Sequence, residues 1–322
     1  MGKKEIIKLL KIVVPLGIGF FLIWYSVGTA TPAERQILWS NIKNADPLPI
    51  FLSLLCGLLS HLSRAYRWQY PIRAMGYKTS FKNKFMAVMA GYLANLGVPR
   101  SGEMLRGALL ASYEEIPFEK TLGTIIAERL ADLVVLIVIV VITFSLQSQV
   151  LLEILENQNI DYLTIILVLA VLGAAGILAY YLLMRSNNPF FKKVAGFVNG
   201  LIDGIKSILK MKHKMLFIAH TLFIWAMYIM MFWVIKFSVP EMTSVGIGTI
   251  LVAFIAGSIS MSASNGGIGA YPFAIGTIFV LFGYSKEGGE AYGWLLWGTQ
   301  TLLVIVLGAL SFWLLPLLNQ KK

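Results

Sequence analysis

The sequence predicts an all-α, polytopic membrane protein, and three observations carry that prediction. Of 322 residues, 57% are apolar and only 13% are charged, too few charges to clothe a soluble domain of this size. Apolar runs recur that are long enough to cross ~30 Å of hydrocarbon. Two of those runs break at clusters of glycine and polar residues, leaving backbone groups that only protein or trapped water can satisfy. The expected architecture is six full transmembrane helices plus two re-entrant hairpins in an inverted-topology repeat, together one integral membrane domain. The formal net charge of +11 sits in particular loops, so membrane orientation explains it and no nucleic-acid partner is expected. Cys56 is the single cysteine, and His61, His213 and His220 show no ligand spacing. No internal disulfide, metal or cofactor is therefore expected.

After Lys3, Lys4, Lys8 and Lys11, a first span covers residues 12–25 and ends on Trp24 and Tyr25, which suit a water interface. It reads as an uncleaved helix rather than a signal peptide, because the repeat described below uses it. A polar stretch with turn signals precedes the second span, 48–66, which delivers Arg64, Arg67, Arg73, Lys78, Lys82 and Lys84 with no acid among them. That side is expected to be cytoplasmic. The first hairpin, 85–113, leaves from and returns to it. Residues 122–146 form the third span, and the following loop carries Glu153, Glu156 and Asp161 without Lys or Arg, as an outer face would. A span at 162–184 returns to a basic segment, 185–214, whose Phe190, Phe191, Val194, Phe197, Val198, Leu201 and Ile205 are spaced as a surface amphipathic helix. Residues 215–237 lead outward, 246–283 form a second hairpin open to the outside, and 294–317 cross back to Lys321 and Lys322. Both termini are thus expected in the cytoplasm.

Laying residues 48–66 on 214–232 sets Ala90-Gly91 on Ala256-Gly257, and a slightly larger shift lays the third span on the last. Each half, 1–160 and 161–322, reads span, span, broken hairpin, span, starting from opposite sides. Such inverted repeats place a binding site near the midplane, at the interface of the halves. Chance similarity between apolar helices is the rival explanation.

The densest polar cluster is GYLANLGVPRSGEMLR at 91–106, which holds Asn95, Gly97, Pro99, Arg100, Gly102, Glu103 and Arg106. Glu128, Arg129 and Asp132 lie about 9 to 15 Å inside the third span at ~1.5 Å per residue. Charges at such depth cost on the order of 2.5 to 3.5 kcal/mol each and normally face a cavity or a partner. Glu128 and Asp132 share a helix face, and Arg64, Arg67, Arg100 or Arg106 is expected to supply their cation. Two readings follow. One is an ion-pair network that fastens the hairpin to the third span; the other is a polar cavity whose arginines hold an anion such as a lipid phosphate. For Arg64 and Arg67, beside Trp68 and Tyr70, snorkelling at the interface is the commoner meaning. Asn265-Gly266-Gly267-Ile268-Gly269 in the second hairpin offers backbone freedom without charge, suited to a flexible gate or a weak anion nest. The hydroxyls of Ser258, Ser260, Ser262 and Ser264 more often serve close packing.

Taken together, Arg64-x-x-Arg67-Trp68, Gly91-Tyr92-x-x-Asn95, Pro99-x-x-Gly102-Glu103-x-x-Arg106, Glu128-Arg129 and Gly266-Gly267-Ile268-Gly269 resemble the flippase-like transmembrane region of lysylphosphatidylglycerol synthases and its stand-alone relatives, over nearly the whole chain. The resemblance implies translocation of a lipid, or handling of its headgroup, between leaflets of a prokaryotic cytoplasmic membrane, with membrane phospholipids as partners. Full-length synthases add a soluble aminoacyl-transferase domain. No stretch here reads as that domain, so synthesis of aminoacylated lipid is not expected from this sequence. Relatives often place a proline before the Gly-Gly pair and an acid after it, whereas this chain has Ser264-Asn265 and Tyr271-Pro272. The substrate is not carried over across that difference.

The leading expectation is a lipid flippase or transporter for an anionic or modified phospholipid or a lipid-linked headgroup. Arg64, Arg67, Asn95, Arg100, Glu103, Arg106, Glu128, Arg129 and Asp132 would contact substrate; Gly97, Pro99, Gly102, Asn265, Gly266, Gly267, Gly269 and Tyr271 would gate. With no Walker motif, transport would be passive or ion-coupled. The alternatives are a membrane-embedded lipid-headgroup transferase with Glu103 or Glu128 as base, and a non-catalytic scaffold for a cell-envelope enzyme. The first lacks a nucleophile or His–acid pair in the sequence, so no catalytic residue is assigned. A homo-oligomer is compatible with all three.

Overall fold

A computed structural model describes residues 20–25, 30–98, 100–148, 211–264 and 266–319, with isolated positions at 17, 28, 150, 167, 171, 174, 181 and 208. The expected fourth span and the amphipathic segment at 185–214 lie almost wholly outside these residues, as do half of the expected first span, Pro99 and Asn265. The fold is all-helical, 85% helix, with no strand among the described residues. The chain packs as two compact units, Met1–Ile125 with Met215–Lys322, and Ile126–Lys214. Compactness is a separate matter from the two halves at 1–160 and 161–322, which concern the order of elements.

Each helix begins where local chemistry starts one. Helix α1, Pro32–Lys43, is opened by a capping box: Glu34 N–H donates to the Thr31 hydroxyl at 3.3 Å, and Thr31 N–H donates to the Glu34 carboxylate at 2.6 Å. These two bonds hold the Glu34 carboxyl below its ordinary pKa. Helix α2, Pro47–Arg67, starts on Asp46, whose carboxylate accepts from Leu48 N–H at 2.9 Å, and α3, Gln69–Ala74, continues it. Helices α4, Phe81–Gly97, and α5, Ser101–Glu114, form a first hairpin, followed by α6, Phe118–Leu146. Helix α7, Lys214–Ile235, leads through two short 3-10 turns to a second hairpin of α8, Ile247–Ala263, and α9, Ala270–Leu281. Helix α10, Lys286–Leu318, closes the order, its first turn capped by the Ser285 hydroxyl.

Among the described residues, three stretches are long and apolar enough to cross a membrane: Pro47–Ala74, Lys214–Ser238 and Lys286–Leu318. They correspond to the expected second, fifth and last spans. Helix α6, with 29 residues, overlies the expected third span and is about 43 Å long at ~1.5 Å per residue. The hairpin arms are shorter. With 17 and 14 residues in the first and 17 and 12 in the second, they measure about 26, 21, 26 and 18 Å, each less than ~30 Å of hydrocarbon.

In the first hairpin the helix breaks after Gly97, and Arg100 turns the chain in the left-handed region at φ 62°. The Asn95 side chain bridges the break, accepting from Gly102 N–H at 2.7 Å, while the Ser101 hydroxyl donates to Val98 O at 2.8 Å. The arms cross glycine to glycine: a Cβ added to Gly91 would lie 2.7 Å from Gly102 O. In the second hairpin the arms cross at Gly257, where an added Cβ would lie 2.8 Å from the Tyr271 ring. Gly91 and Gly257 are the positions that the sequence comparison of the halves superposes. Ser258, Ser260 and Ser262 of α8 and Ser264 just after it each donate to the carbonyl four residues back, at 2.7 to 3.1 Å, so their hydroxyls are absorbed by the helix itself.

Helix α10 is a strut for several elements of the first unit. It packs on α9, α4, α1 and α2, and glycines set the distance. A Cβ on Gly293 would lie 2.7 Å from Pro272, and one on Gly308 would lie 2.9 Å from Met89 O in α4. Gln300 reaches α2, its amide donating to Ser53 O at 3.2 Å and filling the space over Gly57. Small residues at membrane helix crossings permit this approach of backbones.

Lys84, in the first turn of α4 and outside the apolar spans, is buried. Burial, and secondarily Arg73, pushes its ammonium pKa down to about 8 from 10.5, against an opposing pull from Glu114. Below about pH 8 the folded protein bears the full cost of that charge. Between about 8 and 10.5 the unfolded chain still binds a proton that the folded one has shed, so stability rises with pH. Lys84→Met is therefore expected to melt higher at pH 7 and to lose the rise between pH 8 and 10.5. Melting curves in detergent across that range check it, and a wild-type curve flat over the same window would refute it.

Candidate functional site

The C-terminal end of α2 carries Arg64 and Arg67, and the middle of α5 carries Arg106. All three are buried, at 2%, 0% and 1% relative exposure. The snorkelling expected of Arg64 and Arg67 is thereby overturned, because both side chains turn into the helix packing rather than out to a membrane surface. Arg64 Nη2 donates to Tyr228 OH at 3.3 Å, and Arg67 Nη1 donates to Thr221 Oγ1 at 2.9 Å. The Arg67 guanidinium carbon lies 5.2 Å from the Phe217 ring centre, and that of Arg106 lies 4.7 Å from the Trp68 ring centre. Desolvated cation–π contacts of this kind are worth about 2 kcal/mol.

Trp68 holds this arrangement together. It is fully buried in a core with Ala65, Ile72, Ala87, Val88, Leu110 and Ile125. Its indole N–H donates to Thr124 Oγ1 at 2.8 Å, and Thr121 Oγ1 donates to Gly107 O at 3.1 Å, joining the start of α6 to α2 and α5. Helix α7 supplies the opposite wall. Ser63 and His220 share a hydrogen bond of 2.8 Å from Oγ to Nδ1, and the His220 ring centre lies 5.0 Å from that of Tyr66. This Ser–His contact is invisible in the sequence. With Ser63 buried near the C-terminal end of α2, it is a tie between two apolar helices.

Asn95 and Gly102 meet across the first break, as described above. Arg100 is exposed at the turn, and Glu103 is half-buried in the first turn of α5. Gly97 has open space over its Cα, and Tyr271 is buried against Gly257. Gly266, Gly267 and Gly269 all hold positive φ, at 64°, 80° and 67°. In the second unit, Glu128 and Asp132 are buried, and Arg129 Nη1 lies 3.6 Å from Asp132 Oδ2. Asp132 thus finds a cation one turn away on its own helix, a pairing missed when only other helices were considered. Among the described residues, no group of three His, Cys, Asp or Glu is placed to hold a metal ion.

The helical order and the buried arginines are what a membrane family with a polar interior would share. A family model of the lysylphosphatidylglycerol synthase TM region matches residues 12–314. The chain belongs to that family. Every site residue named above lies inside the matched region of the lysylphosphatidylglycerol synthase TM family. A curated relative, the UPF0104 membrane protein MJ1595 of Methanocaldococcus jannaschii, is 32% identical over 92 residues. That match covers 28% of this chain and 27% of the relative. No solved structure matches.

Proposed function

We propose that this protein is a lipid flippase, moving an anionic or modified phospholipid or a lipid-linked headgroup between leaflets of a prokaryotic cytoplasmic membrane. The observation that carries the reading is the burial of three guanidinium groups, on α2 and α5, among hydroxyls and aromatic faces. Guanidinium stays charged in a low-dielectric site and matches phosphate bidentately, and ionisable groups within membrane helices are retained mainly for function. Glu103 would balance part of that charge, and Arg100 would meet the headgroup at the turn. The short arms support re-entrant hairpins, and the equivalence of Gly91 and Gly257 supports an inverted repeat. The charge distribution along the sequence supports cytoplasmic termini.

The test is leaflet exchange of fluorescent anionic and zwitterionic lipids in liposomes that contain purified protein, beside an Arg106→Ala variant. Expected is exchange that favours one headgroup class and drops about tenfold or more in the variant, the loss of one charge-assisted hydrogen bond. Exchange no faster than in protein-free liposomes would remove the flippase reading and leave the transferase and scaffold readings standing.

A further inference from the structure

At the start of α4, positive charge outruns the acceptors that meet it. Lys84 is 2% exposed, and its ammonium offers three N–H donors. Among the described residues, the acceptor it reaches is Thr79 O at 3.5 Å, at the outer limit of a hydrogen bond. The hydroxyl oxygen of the same Thr79 is buried and has no hydrogen-bond partner. Ser80, which precedes the helix, gives the first turn no side-chain cap, so the N–H groups and positive dipole end of a 17-residue helix face the same linker. Arg73, exposed at the end of α3, stands close enough to oppose the Lys84 charge. We propose that the linker between α3 and α4 is a binding site for a phosphate group, held by Lys84, Arg73, Thr79 and the N-terminus of α4.

Charge balance is the first argument. Glu114 is the acid that draws on Lys84, and its Oε1 already accepts from Ser80 N–H at 2.9 Å and from the Asn83 amide at 2.7 Å. One carboxylate thus answers two cations and a helix end. The surrounding ties are made by other groups. Asn83 and Asn319 exchange amide hydrogen bonds of 2.9 Å, fastening α4 to the residue after α10, and Lys120 Nζ donates to Tyr77 OH at 3.0 Å, fastening α6 to the linker. None of these ties uses the Lys84 ammonium, so none offsets the cost of burying it. Chemistry is the second argument. The several oxygens of a phosphate match an ammonium, a guanidinium fork, a hydroxyl and helix N–H groups together, as a chloride ion cannot. Position is the third. The stretch Pro47–Ala74, long and apolar enough to cross a membrane, ends where the linker begins, so the site belongs at the level of lipid phosphates. Gly76, Lys78 and Ser80 are exposed there, which opens the linker to headgroups and to water alike.

The experiment follows melting of the purified protein in neutral detergent at pH 7 while inorganic phosphate, or short-chain phosphatidic acid, is titrated at constant ionic strength. Lys84→Met, Arg73→Gln and a surface control on α1, Lys43→Met, are run beside the wild type. Expected is a saturable rise of about 2 °C or more in the wild type and in Lys43→Met. The midpoint should move about tenfold higher in concentration in Arg73→Gln, the loss of one charge-assisted contact. Lys84→Met, which starts from the higher melting point expected above, should show no rise. A rise with phosphatidic acid at concentrations where inorganic phosphate gives none would identify the ligand as a lipid headgroup, and equal midpoints for the two would identify the free anion; either result supports the site. No rise with either probe would overturn it. So would the same rise in Lys84→Met as in the wild type, because the general stabilising effect of phosphate acts on every variant. Arg73 is exposed, so Arg73→Gln reads out on folded protein even where Lys84→Met fails to fold, and a wild-type midpoint there would also overturn the site. Leaflet exchange plays no part in the readout, so this site and the flippase reading stand or fall separately.

Discussion

Gly102→Ala is expected to stop the first hairpin from closing, at a cost of about 2 to 4 kcal/mol. An added Cβ would collide with the Gly91 carbonyl oxygen and stand 2.6 Å from the Asn95 amide nitrogen. Neither neighbour can give way cheaply. The carbonyl is part of the α4 ladder, and the Asn95 side chain is already committed to Gly102 N–H at 2.7 Å. Relief would require α5 to back away from α4, which would pull Arg106 off Trp68 and disturb the buried core behind it. The control is Gly123→Ala on α6, where nothing lies within 4 Å of an added Cβ. That change is expected to be neutral or to gain up to about 1 kcal/mol of helix propensity. Thermal melting and size-exclusion profiles in detergent separate the two variants. Equal melting would mean that the hairpin arms do not cross at these glycines.

Much of the architecture is legible because two signals are local. Apolar length marks Pro47–Ala74, Lys214–Ser238 and Lys286–Leu318 without reference to the rest of the chain. Glycine inside apolar sequence marks the breaks: the hairpin expected at 246–283 appears as Ile247–Ala263 and Ala270–Leu281. Gly91 and Gly257, paired from faint similarity, turn out to be the crossing points of their hairpins. What fails to show in the sequence is the set of partners. Thr221 and Tyr228 sit in an apolar helix, where a hydroxyl reads as packing or as an interface residue, so nothing local ties them to Arg67 and Arg64. Burial of those arginines is a tertiary fact. Sequence favours the water interface for a Lys or Arg at a span end, and the wall built by α7 works against that preference. The hydrogen bond from the Trp297 indole N–H to the Gly266 carbonyl is hidden for the same reason, since an aromatic residue near a span end is common and the carbonyl is on another element. The Arg129–Asp132 pair was available at i,i+3 spacing. It is overlooked when attention goes to the like-charged Glu128 and Asp132.

Arg67→Met is expected to leave a folded protein whose exchange of anionic lipid falls about 10- to 100-fold, with exchange of zwitterionic lipid affected less. Methionine is close to arginine in length and can cover the Phe217 ring, which the guanidinium now overlies at 5.2 Å. Thr221 is not stranded, because its hydroxyl also donates to Phe217 O at 2.8 Å. The Phe217 contact is therefore replaced and Thr221 keeps a partner while the positive charge is removed. A hydrogen bond to a charged group contributes about 1.5 to 3 kcal/mol, and each 1.4 kcal/mol is tenfold in affinity. Arg67→Lys divides the result further. Lysine retains the charge but not the planar fork, so it should recover part of the rate if the headgroup is held by charge, and little if it is held bidentately. The measurement is headgroup-resolved exchange in proteoliposomes, with melting recorded on the same preparations. If Arg67→Met flips anionic lipid at the wild-type rate while melting lower, the buried arginine fastens α2 to α7 and takes no part in transport.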